Sequence, residues 1–409
     1  MKNLNERTVI PKKCVLYKQS RSSKWYCRIK LNDGSWHRAA TGFEDLVEAT
    51  DRAHRLYYET QVKGENNLPQ TTRSFSSVAK TVINELESKE GTHDWKKAYV
   101  DYIKLIKKYQ IPFFNRTKLD NVGKRYLGYI DYVAEQIGRQ PAASTVNNHH
   151  AALNLVLTKA KEKGWVTNIS LPVLKNTGKK SSRRPTFSSS EYNSLVTRLR
   201  HWKDKDTHRK KDKEVRQMLY DYVLFLAYTG IRQGREAMDI KWQNISFATS
   251  KSGNQLVVIS VLKKKGRSGT EEWRKVVMRN NEISDAIKLL ERIKNRNPYL
   301  ANKTLEQVIK QKSEHPIFVL SDLSQPKRLD GTFKKFLVDV GMGYGEEEKW
   351  RTLYSFRHFY ATRELTRKNP ISIALLSKQM GTSIAMIEKY YGHLDTVKQG
   401  DALSGWTEF

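Results

Sequence analysis

Leu353 to Leu394 reads LYSFRHFYATRELTRKNPISIALLSKQMGTSIAMIEKYYGHL. Near its start, Tyr354 and Arg357 stand three apart at the head of an expected helix, so they share a face. Near its end, Tyr390 and Tyr391 follow Ile384 and Ile387 in a second short helical segment. An arginine at a helix N-terminus suits an anion, because backbone N–H groups and the helix dipole add to its charge. A phenol beside a bound phosphate is a candidate nucleophile, since Tyr is among the side chains that form covalent intermediates. At this spacing the tyrosine pair fits core packing as well. The rest of the chain must supply further phosphate ligands, an acid for the leaving group and a grip on a polyanion.

The composition points to such a partner. Lys and Arg number 74 against 43 Asp and Glu in 409 residues, a formal net charge of +31. A balance so basic predicts a polyanion. No apolar run nears the roughly 18 residues of a membrane span, and no lipidation signal is present. Nucleic acid is therefore expected, and no membrane. The opening MKNLNERTVIPKK has no signal-peptide apolar segment, so the protein is expected to stay in the compartment where it is made, the cytoplasm. Cys14 and Cys27 are the only cysteines. They are too few for a zinc site, and a reducing compartment argues against a disulfide, so half-buried packing in a small sheet is expected.

Three parts are expected: residues 1–65, 72–176 and 185–409. In the first, Trp25 to Leu31 alternates as a strand does, Asn32-Asp33-Gly34 signals a hairpin, and Trp36-His37-Arg38 starts the return. Leu46, Ala49, Ala53, Leu56 and Tyr57 then repeat at helical spacing. This is a small β-sheet-plus-helix domain. Arg28, Lys30 and Arg38 are DNA-binding candidates, since a sheet can enter a groove, the alternative being a solvated polar face. The second part reads as an all-α helical bundle, with helices over Val78–Leu86, Trp95–Lys108, Val122–Ile137 and from Ser144 or Thr145 to Gly164. Lys175 to Thr186 reads as a flexible basic linker whose Lys179, Lys180, Arg183 and Arg184 lie along phosphates, the alternative again being a solvated link. The third part is mainly α, mixed α/β. A helix stripe from Met218 to Ala227 ends at Thr229-Gly230. Strands follow at Leu256–Val261 and Lys275–Met278 around a basic turn, and then helices at Ile283–Lys294 and Thr304–Lys312.

Four pieces fall in order: Thr229-Gly230-Ile231-Arg232, Lys263-Lys264-Lys265, Tyr354-Ser355-Phe356-Arg357-His358 and Tyr390-Tyr391. Each is weak alone. Together they resemble the catalytic domain of the tyrosine recombinases of the phage-integrase type, over about Thr186 to Leu394. The family's first box, a helix end with T-G-x-R, a Glu shortly after and an L-x-W-like strand entry, stands here as Thr229 to Arg232 with Glu236 and Ile240-Lys241-Trp242. Its H-x-x-R-H box stands as Tyr354 to His358, and its nucleophile before x-His as Tyr391-Gly392-His393. The helical bundle resembles the family's core-site-binding domain, and the first part resembles the arm-site-binding domains of larger integrases.

The resemblance implies a site-specific DNA recombinase that integrates or excises a prophage or other mobile element through a 3′-phosphotyrosine, with neither cofactor nor metal. Its implied partners are double-stranded DNA attachment sites, a homotetramer on synapsed DNA, and host or phage DNA-bending accessory proteins. Arg232 and Arg357 would clamp the scissile phosphate, Tyr391 would attack it, and Lys264, with Lys263 and Lys265 as neighbours in contention, would protonate the leaving oxygen. The physics agrees, because phosphoryl transfer rests on positioning and charge stabilisation, work suited to Arg.

Two positions depart from the pattern. Tyr354 replaces the His of the second box, and Thr382 stands where a His or Trp is usual. Thr382 is expected to cap the helix from Ile384 to Tyr391, the alternative being a donor to the phosphate. His358 and His393 are secondary candidates to compensate in part, the alternative for His358 being a core histidine, and Glu236 and Tyr390 are further secondary candidates. Two rival functions follow: a DNA-binding or architectural protein on this fold with weakened catalysis, and a type IB topoisomerase-like strand transferase.

Overall fold

In the computed structural model, which describes residues 6–66, 68–167, 171–179, 185–205, 209–262, 272–280, 285–326, 329–345 and 348–391, the chain divides into two units, Met1–Ser182 and Arg183–Phe409.

The first unit opens with an antiparallel sheet of order β1 (Glu6–Ile10), β2 (Cys14–Lys18), β3 (Trp25–Lys30), β4 (Trp36–Ala40). Gly34, at φ +81°, makes the β3–β4 turn in a left-handed conformation that L side chains resist. Alternation then sorts the faces. Cys14, Leu16, Cys27 and Ile29 bury against Ala49, Ala53 and Tyr57 of α1 (Leu46–Glu65). Asp45 starts α1 by accepting from Val47 N and Glu48 N at 2.8 and 2.9 Å. Both cysteines are free thiols and wholly buried rather than half-buried, because they sit on the face that α1 covers.

A helical bundle follows. It comprises α2 (Phe75–Glu87), α3 (Ala98–Leu105) running through a π-turn at Ile106–Gln110 into α4 (Ile111–Phe114), α5 (Val122–Tyr126), α6 (Tyr129–Ile137) and α7 (Ala143–Glu162). The single helix expected over Val122–Ile137 is broken at Leu127-Gly128. The break throws Leu127 out to solvent and turns both flanking tyrosines inward. Tyr126 Oη meets His150 Nε2 at 2.6 Å and Tyr129 Oη meets His149 Nδ1 at 2.7 Å. The expected flexible linker is also partly fixed. Asn176 Nδ2 donates to Ala143 O at 2.8 Å, and Lys179 pairs through its backbone with Pro141 and Ala143.

The second unit is built on α9 (Lys210–Thr229), in which every residue from Met218 to Thr229 is buried. A helix apolar all round belongs inside a core, and α8 (Ser189–Asp204), α11 (Ala286–Asn295), α13 (Asp330–Asp339) and α14 (Ser355–Thr366) pack about it. Its one buried carboxylate, Asp221, is held by Arg292 and Arg296, as a desolvated charge must be. α10 (Arg235–Met238) leads to an antiparallel sheet of order β5 (Ile245–Thr249), β6 (Gln255–Leu262), β7 (Trp273–Met278). α12 (Leu305–Lys310) lies between α11 and α13 in the chain. α15 (Ile373–Met380) and α16 (Ile384–Tyr391) close the described chain, sharing with α14 a small core of Tyr360, Ala361, Leu376, Met380, Ile387 and Tyr391. No helix among the described residues is long and apolar enough to cross a membrane.

Candidate active site

The end of α9 sets the first part of the site. Gly230 closes the helix at φ +66°, and a Cβ there would lie 2.4 Å from the Tyr360 ring. Only glycine fits both constraints. The chain then turns through buried Ile231 and presents Arg232, whose side chain is 39% exposed. Glu236, four residues on in α10, accepts from the Arg232 backbone N at 3.2 Å and from its Nη1 at 2.9 Å. Arg232 Nη2 donates to Gly381 O at 2.6 Å.

Arg357 lies in the first turn of α14 and is buried, with Nη1 donating to Gly230 O at 2.6 Å. Burial pushes its guanidinium down to about 10 and the charge of Arg232 adds to that, while Tyr354, Glu236 and Tyr391 pull the other way. Residues from three distant stretches therefore share one electrostatic neighbourhood. Tyr354 immediately precedes α14, its ring edge-on to His358 at 5.2 Å. His358 Nδ1 hydrogen-bonds the Tyr391 hydroxyl. Tyr391 is buried at the end of α16, whereas Tyr390 is half-buried with its ring 6.1 Å from His358.

Two residues that sequence reading missed complete the cluster. Arg274 of β7 is buried, donates from Nη2 to Glu236 Oε1, and reaches Gln379 O from Nε at 3.4 Å. Gln379 of α15 holds Val277 N and O, at 3.1 and 2.8 Å, and Thr229 O at 3.2 Å. Burial opposes charge on Glu236, but Arg274 and then Arg232 outweigh it and hold the carboxyl below its ordinary value. A cleft of about 830 Å³ opens here, lined in part by Arg232, Arg235, Asp239, Ser260, Trp273 and Arg274.

Thr382 does not cap α16. Ser383 Oγ accepts from Met386 N at 3.3 Å, while Thr382 N donates to Ser377 O at 3.1 Å. The hydroxyl one residue closer to the first turn takes the role, because a cap must reach the amides two or three positions on.

Lys263, Lys264, Lys265, Lys180, Arg183, Arg184 and His393 lie outside the described residues. Arg28, Lys30 and Arg38 share the sheet face opposite α1, in register Arg28 with Arg38 and Lys30 with Trp36. Arg28 is tied there to Glu6 at 2.8 Å. Among the described residues no group of three or more His, Cys, Asp or Glu is disposed to hold a metal ion.

No protein-family model and no curated protein matches the chain. Solved structures do. A segment of the Tn1549 transposon integrase in complex with circular intermediate DNA is 16% identical with TM-score 0.55, covering 80% of this chain and 98% of that one. A lambda integrase dimer bound to a COC′ core site is 15% identical with TM-score 0.51, covering 76% of this chain and 94% of that one. With those likenesses the chain is shown to carry the tyrosine-recombinase fold.

Proposed function

We propose that the protein is a site-specific DNA recombinase that cuts and rejoins duplex DNA at attachment sites through a 3′-phosphotyrosine, integrating or excising a mobile element such as a prophage. The observation that carries this reading is the meeting of Arg357 with Arg232, Tyr354 and Tyr391 in one neighbourhood, with the Tyr391 hydroxyl on His358. Arg232 and Arg357 clamp the non-bridging oxygens of the scissile phosphate. Tyr391 Oη attacks phosphorus, the bond to the 5′-oxygen breaks, and the phenolic proton passes to His358 Nδ1. The 5′-oxygen takes a proton from Lys264, the role that the family resemblance implies. Tyr354 donates a hydrogen bond to a phosphate oxygen, which a phenol can do although it is no base near neutral pH.

In this reading residues 1–65 grip an arm-type site, 72–176 a core site and 185–409 catalyse, as a homotetramer on two duplexes with DNA-bending accessory proteins. Both DNA-bound neighbours and the net charge of +31 support DNA as the partner.

The test is incubation with nicked duplexes tiled across the DNA that flanks the coding gene. Wild-type protein yields a covalent DNA adduct and the linked peptide maps to Tyr391. Tyr391→Phe binds the same duplexes and yields none. Binding without adduct by the wild type would favour the second reading, a DNA-binding protein with weakened catalysis, to which Tyr354 and Thr382 in the places of His and His or Trp already lend weight. An adduct lost in Tyr390→Phe instead would reassign the nucleophile.

A further inference from the structure

Arg274 is a buried cation that the proposed chemistry does not use. It leaves β7 on the strand's inward side, with Val276 and Met278. Its guanidinium bonds Glu236 on one side and the Gln379 carbonyl on the other. Gly381 lies directly on it: a Cβ there would come within 2.7 Å of the Arg274 Cζ. Glu236 in turn holds Arg232, and Arg232 returns to the Gly381 carbonyl. The connections close into a ring that begins and ends at Arg274.

Charge decides what that ring does. A buried carboxylate must be paired. Were Arg232 the sole partner of Glu236, the two charges would cancel and little attraction would remain for a phosphate. With both arginines on Glu236, the trio keeps one net positive charge, and the exposed part of it is the Arg232 side chain. Geometry adds to this, because the turn at Gly381 that receives Arg232 is the one that leads into α16 and Tyr391.

We propose that Arg274 is a positioning residue that, by sharing the charge of Glu236 and supporting the Gly381 turn, leaves the positive charge of Arg232 available to the scissile phosphate and the side chain fixed toward it. The assignment rests on the recombinase reading above. It is tested with full-length protein by single-turnover cleavage of nicked duplex at saturating DNA, with duplex affinity measured alongside. Arg274→Gln slows cleavage about 100-fold while the duplex Kd moves less than about threefold. Glu236→Gln combined with Arg274→Gln removes the anion together with its second cation, and cleaves at least about tenfold faster than Arg274→Gln alone. A merely structural role gives no such rescue. A double variant no faster than the single, or a rate loss matched by weaker DNA binding, overturns the assignment. Arg274→Met, which keeps the packing of the stem, carries the same comparison if Arg274→Gln folds poorly. Wild-type protein that forms no adduct overturns the recombinase reading and this assignment together, an outcome distinct from a normal wild-type adduct without rescue.

Discussion

The hydroxyl of Tyr391 and Nδ1 of His358 share a hydrogen bond between α16 and α14, 33 residues apart in the chain. Both side chains are buried, so the phenol is not free to deliver its proton to bulk water. If His358 is the acceptor, His358→Phe keeps the packing of the ring and removes the base. Adduct formation at saturating duplex is then expected to slow about 100-fold, with duplex affinity unchanged. An unaltered rate in a folded variant would assign His358 to packing alone.

Gly230 joins two demands, a left-handed backbone and the face of Tyr360. Gly230→Ala meets both strain and overlap, and should destabilise the unit by at least about 2 kcal/mol. Its carbonyl also receives Arg357, so any adjustment of the turn moves the buried guanidinium. Denaturant unfolding reads the stability, and adduct yield under conditions where the variant remains folded reads the displacement.

His149 is buried in the helical bundle against Tyr129, and burial pushes it down to about 4. The folded-state value lies below the unfolded one, so the unfolded chain binds the extra proton first. Stability is therefore complete above about pH 6.5 and falls as pH drops toward 4, by roughly 2–3 kcal/mol from this residue. Denaturant unfolding at pH 7.5 and 4.5 should show that loss in the wild type. His149→Gln, which cannot charge, should show a smaller difference between the two pH values. An equal difference would move the acid sensitivity elsewhere.

Ser383 and Thr382 can be separated by the amide they serve. Ser383→Ala removes the acceptor of Met386 N and should weaken the start of α16 by about 1 kcal/mol. Thr382→Ala should change it by less than about 0.5 kcal/mol. Hydrogen exchange at the Met386 amide is the direct measure, and a larger effect from Thr382 would restore it as the cap.

Much of this was legible from residue order. The helix ending at Gly230, the hairpin at Asn32-Asp33-Gly34 and the alternation of β6 all carry local signals, because turn chemistry and period leave marks within a few residues. Glu236 stands four residues after Arg232 and reads with it in the family's first box, but their ion pair was not legible, because the turn at Gly234 separates Arg232 from the helix that carries Glu236. Arg274 is different, since an arginine in a short strand reads as a solvated side chain. The signal that would have found it is parity: it shares the inward side with Val276 and Met278, and a cation on that side needs a buried anion. Gln379 gave no signal, because its partners lie in two other elements. The break at Leu127-Gly128 was missed because the apolar spacing runs on across it. The tie-breaker was two buried histidines on α7 awaiting phenols, a relation that no local window contains.

Among the described residues β7 is the last strand of its sheet, and an edge strand offers unpaired peptide groups to any passing chain. The Gln379 amide meets the N–H and the C=O of Val277 at once. It thus imitates one residue of a missing fourth strand. This molecular dowel leaves Val277 unavailable as a template for intermolecular pairing. It also indexes α15 to the sheet with single-residue accuracy, so a slip of β7 along β6 would be transmitted to the helices that carry Tyr391.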